Sequence, residues 1–180
     1  MNSANDVLEF WFTQCTPAQW FAKDVQFDRL IQQRFGGLHQ QAQAGELFQW
    51  RSSSEGRLAE VIVLDQFSRN LYRDQAQAFA CDPMALVLAQ QAVAAGADSP
   101  LTPQQRGFLY MPYMHSESAL IHQQAALLYQ AKGLEHNLRY ELQHKQIIDR
   151  FGRYPHRNAI LGRASTEQEL QFLSQPGSSF

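Results

Sequence analysis

Apolar side chains recur along nearly the whole chain at the spacing of one helix face, and nowhere alternate as they would in a strand. The stretch opened by Asp24 is the clearest case, with Phe27, Leu30, Ile31, Phe35 and Leu38 on one side. Faces of this kind must be buried against one another, which confines the chain to helix-on-helix packing. The punctuation agrees. Ser3 with Asp6 forms a capping signal ahead of Leu8, Trp11 and Phe12. Thr16-Pro17, Asp82-Pro83 and Thr102-Pro103 put proline in a first helical turn, where its missing N–H costs nothing. Gly36-Gly37 weakens the interior of its helix, while Gly45, Gly96, Gly133 and Gly152 mark stops. Residues 51–57 read as a polar linker, and Leu58 to Tyr72 as a strongly apolar helix. Pro112 predicts a kink or break in the helix that begins at Thr102-Pro103. Residues 117–132 and 135–151 give two more helices, and Ser165 with Gln168 a capping box for a last one through Leu173. Residues 176–180 read as a loose tail. The sum is an all-α chain of seven to nine helices with short connections, the pattern of antiparallel helical hairpins.

A length of 180 residues fits one domain, 1–180, with one substantial core. A net charge of −2 gives no general attraction for nucleic acid or an acidic membrane, so any anion site must come from local clustering. Cys15 and Cys81 stand apart without a CxxC pair and suggest no disulfide framework. The opening Met1 to Asp6 lacks the features of a signal peptide, and no apolar run is long enough to span a bilayer. The expected location is a reducing cytoplasm.

Three segments place polar groups where a plain helical core would not. In the first, Asp65, Gln66, Arg69 and Asn70 lie within an apolar helix, with Arg73 one turn on. Asp65, Arg69 and Arg73 share a face there, as do Gln66 and Asn70. A carboxylate buried in such a helix needs a partner, either a structural Arg69 or a guanidinium that it orients toward a ligand. In the second, the run Phe108 to Met114 ends in His115, Ser116 and Glu117 directly after Pro112. His115 suits acid–base work and Glu117 would orient it only if the helix breaks, because residues two apart diverge on a helix. The plainer reading is a satisfied core histidine beside a capping glutamate. In the third, Arg150, Arg153, Arg157 and Arg163 supply four of the chain's 15 Lys and Arg within positions 150–163, with His156 among them. No acid falls in that span, and Asp149 is the single carboxylate nearby. Arginine suits two-point contact with carboxylate or phosphate. His144 shares a helix face with Ile147 and Ile148 and is expected to point inward.

The strings Leu64-Asp65-Gln66-Phe67-Ser68-Arg69-Asn70, Pro112-Tyr113-Met114-His115-Ser116-Glu117, Arg150-Phe151-Gly152-Arg153-Tyr154-Pro155-His156-Arg157-Asn158 and Leu161-Gly162-Arg163-Ala164-Ser165-Thr166 resemble an uncharacterised, mainly bacterial family, domain of unknown function 924. The resemblance runs from Val7-Leu8-Glu9-Phe10-Trp11-Phe12 to the last helix. It departs at Ser68, where the family pattern carries proline, read here as a surface change. The resemblance implies a tetratricopeptide-like fold and no particular activity, although no clean internal repeat of that period is present.

These segments lead to a polar pocket on the concave side of the hairpins. Asp65, Arg69, Asn70 and Arg73 form one wall, His115, Ser116, Glu117 and His144 another, and Arg150, Arg153, His156 and Arg157 close it. Its expected ligand is a small anion or a carboxylate-bearing peptide end. A hydrolase or phosphoryl-handling enzyme with His115 or His144 as general base is the second reading. An interaction module whose ion pairs are purely structural is the third. HExxH, Walker-type, GxGxxG and GxSxG signatures are absent, and His115, Glu117, His144 and Asp65 lack helical ligand spacing, so neither a metal nor a cofactor is expected.

Overall fold

Leu58, Ala59, Val61, Ile62, Val63, Leu64 and Phe67 are wholly buried, and the rod that carries them is the centre of the molecule. The structure, a computed structural model, describes residues 2–178. In chain order the helices are α1 (Ala4–Glu9), α2 (Pro17–Phe21), α3 (Val25–Gln43), α4 (Ser54–Ile62), α5 (Ser68–Leu71), α6 (Asp82–Ala94), α7 (Pro103–Met114), α8 (Ala119–Leu128), α9 (Glu135–Phe151) and α10 (Glu167–Leu173). A π-turn at Phe10–Gln14 extends α1, and another at Val63–Phe67 joins α4 to α5. Counted as continuous rods these are nine among the described residues, with no strand, so the fold is all-α.

α4 packs against α1, α6 and α7, α3 lies along α5, and α6 to α9 pack in sequence order, each on the next. Aromatic rings fill the centre: Phe10 and Phe67 each lie 5.0 Å from Phe35, and Trp11 meets Phe108 edge-on at 5.7 Å. Ile147, Ile148 and Tyr154 form a second, small apolar cluster with Phe151 and Phe172. The polar residues of interest lie at the seam between the two.

Four local expectations need correction. The expected linker 51–57 is helical from Ser54 onward, because the Ser53 hydroxyl accepts the Gly56 N–H at 3.0 Å and caps the turn. Arg51 is not a linker charge: it grips the buried Glu60 carboxylate with two 2.7 Å hydrogen bonds. The last capping box is Thr166 with Glu169, one residue beyond Ser165 with Gln168, since the Ser165 hydroxyl instead accepts from Asn158. Ser68 is wholly buried and not at the surface. Its hydroxyl donates to the Leu64 carbonyl, so the His39 Nε2–H must donate to it, at 2.7 Å.

α7 runs through Pro112 and stops two residues later, where the His115 N–H still reaches the Met111 carbonyl. Gly152 (φ +69) ends α9 in the left-handed conformation and turns the chain back, so that residues 153–157 return over the molecule. Of the expected loose tail, residues 179 and 180 lie outside the described residues, while Ser178 is buried with its hydroxyl on the Leu173 carbonyl.

Candidate functional site

The π-turn at Val63–Phe67 widens the central rod by one residue, and Asp65 sits inside it, 1% exposed. Inserted turns of this kind often mark functional positions. Every face of the Asp65 carboxylate is engaged. Oδ1 meets Arg69 Nη1 at 3.1 Å and His115 Nδ1 at 2.7 Å, and Oδ2 accepts from Gln66 Nε2 at 2.6 Å. Burial pushes the Asp65 pKa up, but Arg69 and His115 together outweigh it and hold the group well below the carboxylate range. Asp65 is therefore ionised and can only accept, so the ring proton of neutral His115 is on Nδ1 and its Nε2 carries a lone pair. The ring stays neutral at neutral pH, because burial and the nearby Arg69 lower its pKa more than Asp65 raises it.

Asp82, at the first residue of α6, ties two arginines together. Arg69 grips it with two hydrogen bonds, at 3.0 and 3.1 Å. Arg157 reaches it with one, at 3.3 Å. Arg157 also lies between two aromatic faces, 4.5 Å from the Phe79 centroid and 4.6 Å from that of Tyr154. Its Nε is buried without an acceptor among the described residues.

Behind this cluster is a second carboxylate–histidine pair, wholly buried. Glu141 Oε1 lies 2.7 Å from His122 Nδ1, and His122 Nε2 lies 2.8 Å from the Ser116 carbonyl. The Tyr154 hydroxyl donates to the Met114 carbonyl and sits 3.1 Å from the same Nε2. The pair thus locks the end of α7, α8, α9 and the 154–157 turn in one network. His144 donates Nδ1–H to the Tyr140 carbonyl at 2.7 Å and stacks edge-on against Tyr154.

The structure brings Asp65, Arg69, His115, Ser116, His144, His156 and Arg157 into one neighbourhood and distributes the rest. Asn70 and Arg73 do not join the Asp65 wall. α5 ends at Leu71, so Arg73 lies beyond the helix; it grips Asp28 of α3 at 2.6 and 2.7 Å, and Asn70 donates to the same carboxylate at 2.8 Å. Glu117 does not orient His115. It accepts the Tyr154 N–H at 2.7 Å and both nitrogens of Arg163, at 2.6 and 2.9 Å. Arg153 grips Glu169 through Nε and Nη2, and Nη2 also donates to the Ala164 carbonyl. Arg150 stacks on Phe151 along a surface groove of about 420 Å³ with Ile147 and Phe172. In the third segment Arg153, Arg157 and Arg163 therefore meet acids outside it, Glu169, Asp82 and Glu117, and Arg157 does so through a single 3.3 Å contact.

Asp82, Phe79, His122 and Glu141 escaped the sequence reading. Asp82 looked like a helix start and His122 like one residue of an ordinary helix face. Only the spacing of Glu141 to His144, on one face of α9, hinted at a polar patch. Among the described residues, no three His, Cys, Asp or Glu side chains are placed to hold a metal ion.

The ties outside the cluster are structural. Arg73→Ala is expected to cost about 1–2 kcal/mol, since it leaves the mostly buried Asp28 carboxylate with Asn70 alone. Urea unfolding checks this, and an unchanged midpoint would refute it.

A family model described as a bacterial protein of unknown function (DUF924) matches residues 7–177. A solved structure of a protein of unknown function from Agrobacterium tumefaciens is 39% identical, with a TM-score of 0.90, covering 94% of this chain and 96% of that one. No curated protein matches. No helix among the described residues is long and apolar enough to cross a membrane.

Proposed function

Since the chain belongs to DUF924, a family of bacterial proteins of unknown function, the site itself is the guide to its role, and we propose that Arg157 and its surroundings bind a small anionic molecule. The observation that carries this reading is the incomplete pairing of a buried cation. The Arg157 side chain is 8% exposed. Among the described residues its one ionic contact is the 3.3 Å bond to a carboxylate that Arg69 already holds more closely. Burial, then the nearby Arg69, pushes its pKa down, the mark of a charge without sufficient compensation. Buried charges are normally paired, and the cost of leaving one underpaired favours an incoming anion. The planar fork, fixed between Phe79 and Tyr154, suits the two-point contact that a carboxylate or phosphate offers. Arg69 and His115, its neighbours in the cluster, are more exposed than Arg157. A free carboxylate at a peptide end would meet the same fork. A cytoplasmic setting goes with this reading, since both cysteines are free and buried.

Thermal melts in inorganic phosphate, succinate and a short peptide with a free C-terminus, at constant ionic strength, test the proposal. A ligand at about 100 Kd would add ~2.7 kcal/mol of stability. The upward shift is expected to vanish in Arg157→Gln and to shrink in Arg157→Lys, which keeps charge and loses the fork. Arg150→Ala, on the separate groove, is expected to retain it. An equal shift in wild type and Arg157→Gln, or none with any of these anions, would refute the assignment.

A further inference from the structure

We infer that His115 is the general base of a hydrolytic centre for small phosphate esters, with Arg157 and Arg69 steadying the phosphoryl oxygens. This rests on the anion reading above and adds chemistry to it.

Among the histidines here, His115 has the hydrogen-bonding state that the role needs. His122 uses both ring nitrogens inside the fold, one on Glu141 and one on the Ser116 carbonyl. His144 spends its Nδ1–H on the Tyr140 carbonyl and lies buried against Tyr154. His115 instead has its Nδ1–H fixed by Asp65, which sets the tautomer and leaves Nε2 as the basic atom. Its side chain is 16% exposed, against 1% for Asp65, so the dyad is closed at the carboxylate and open toward solvent at the ring. Asp65 is itself held by Gln66 and Arg69, which leaves the ring little freedom to turn. Through Asp65 and Asp82, the same Arg69 links His115 to Arg157. A base and two guanidinium groups are thus fixed by one set of carboxylates.

Among the described residues no hydroxyl or thiol hydrogen-bonds to His115, so the attacking oxygen comes from water. His115 Nε2 takes a proton from that water as its oxygen bonds to phosphorus. The phosphorus–oxygen bond to the alcohol breaks, and the leaving oxygen takes a proton from solvent. His115 then returns its own proton to solvent. The products are the alcohol and inorganic phosphate, with no oxidant or further reactant. The guanidinium groups stabilise charge on the non-bridging oxygens. Asp65 acts through the imidazole and is a positioning residue.

The test follows release of nitrophenolate from 4-nitrophenyl phosphate by the full chain. Release above the buffer rate is expected, slower by roughly 100-fold in His115→Gln. The wild-type rate is expected to fall in acid, as His115 protonates below its ordinary value of 6.5. Asp65→Asn is expected to change that pH profile as well as the rate, which a purely structural role would not do. Since variants at this cluster can lose stability, each is compared at a temperature where its melt shows it folded, and the wild-type pH profile stands without them. Release at the buffer rate, with the phosphate-induced melting shift intact, overturns the inference and spares the binding reading. Equal rates in wild type and His115→Gln overturn it too. Loss of both the shift and the turnover overturns both.

Discussion

Between about pH 6.5 and pH 4 the protein is expected to lose roughly 3 kcal/mol of stability per pH unit. Burial drives this at three histidines. It pushes the pKa of His39 down to about 4, that of His144 to about 3 and that of His156 to about 4. In each case the unfolded chain takes up a proton near 6.5 and the folded protein refuses it until far lower. The stability is therefore present above 6.5 and is lost as pH falls toward the folded values. One such proton is worth about 1.4 kcal/mol per pH unit. Glu141 opposes them, because burial raises its pKa, and in part of this window the fold binds a proton there that the unfolded chain lacks. The three histidines together give about 4 kcal/mol per pH unit, the lowered pKa of His115 acts in the same direction, and Glu141 subtracts from the sum, which leaves roughly 3. Urea unfolding at half-unit steps of pH measures it directly. A flat profile from neutrality to pH 5 would refute the account. His39→Gln keeps an N–H donor for Ser68 and is expected to flatten the slope by about one proton.

Glu141→Ala is expected to destabilise by about 3–5 kcal/mol, and Glu141→Gln by less than about 1 kcal/mol. The contrast comes from counting protons. The Ser116 carbonyl can only accept, so His122 Nε2 must carry hydrogen. One further proton then lies between His122 Nδ1 and Glu141 Oε1, and the pair is neutral overall whichever atom holds it. Alanine removes that partner, leaves a buried Nδ1 unpaired and opens a cavity. Glutamine offers an N–H to a neutral ring and carries no charge that burial could penalise. As Glu141 has a raised pKa, its favourable contribution belongs to acid and fades as pH climbs above about 4.5. Glu141→Gln should therefore gain on wild type toward neutral and alkaline pH. Thermal melts of the three proteins at two pH values decide this; similar losses for Ala and Gln would mean that packing, not the proton, governs the site.

Much of the fold was legible from local patterns because those patterns act locally. The caps at Ser3, Asp24 and Thr102 bond their own first turns, and Gly152 ends α9 at the expected residue. The capping box at Thr166 was displaced by one residue because a distant group, Asn158, claimed Ser165. The site was legible in its residue types and less so in their pairing. The Asp65–Arg69 contact obeys helical spacing and was foreseen. The Asp65–His115 contact spans fifty positions and was not.

What the sequence determined by itself is the all-helical architecture, its main boundaries, and the presence of polar groups inside apolar helices. Periodicity and capping involve neighbours a few residues apart, and these are written in the order of the chain. Beyond the local Asp65–Arg69 pair, tertiary structure decided which carboxylate serves which cation. Asp28 takes Arg73, Glu169 takes Arg153, Glu117 takes Arg163, and Asp82 is divided between Arg69 and Arg157. Ion pairing depends on distance in space and on the cost of desolvation, and neither has a period that a linear chain could display.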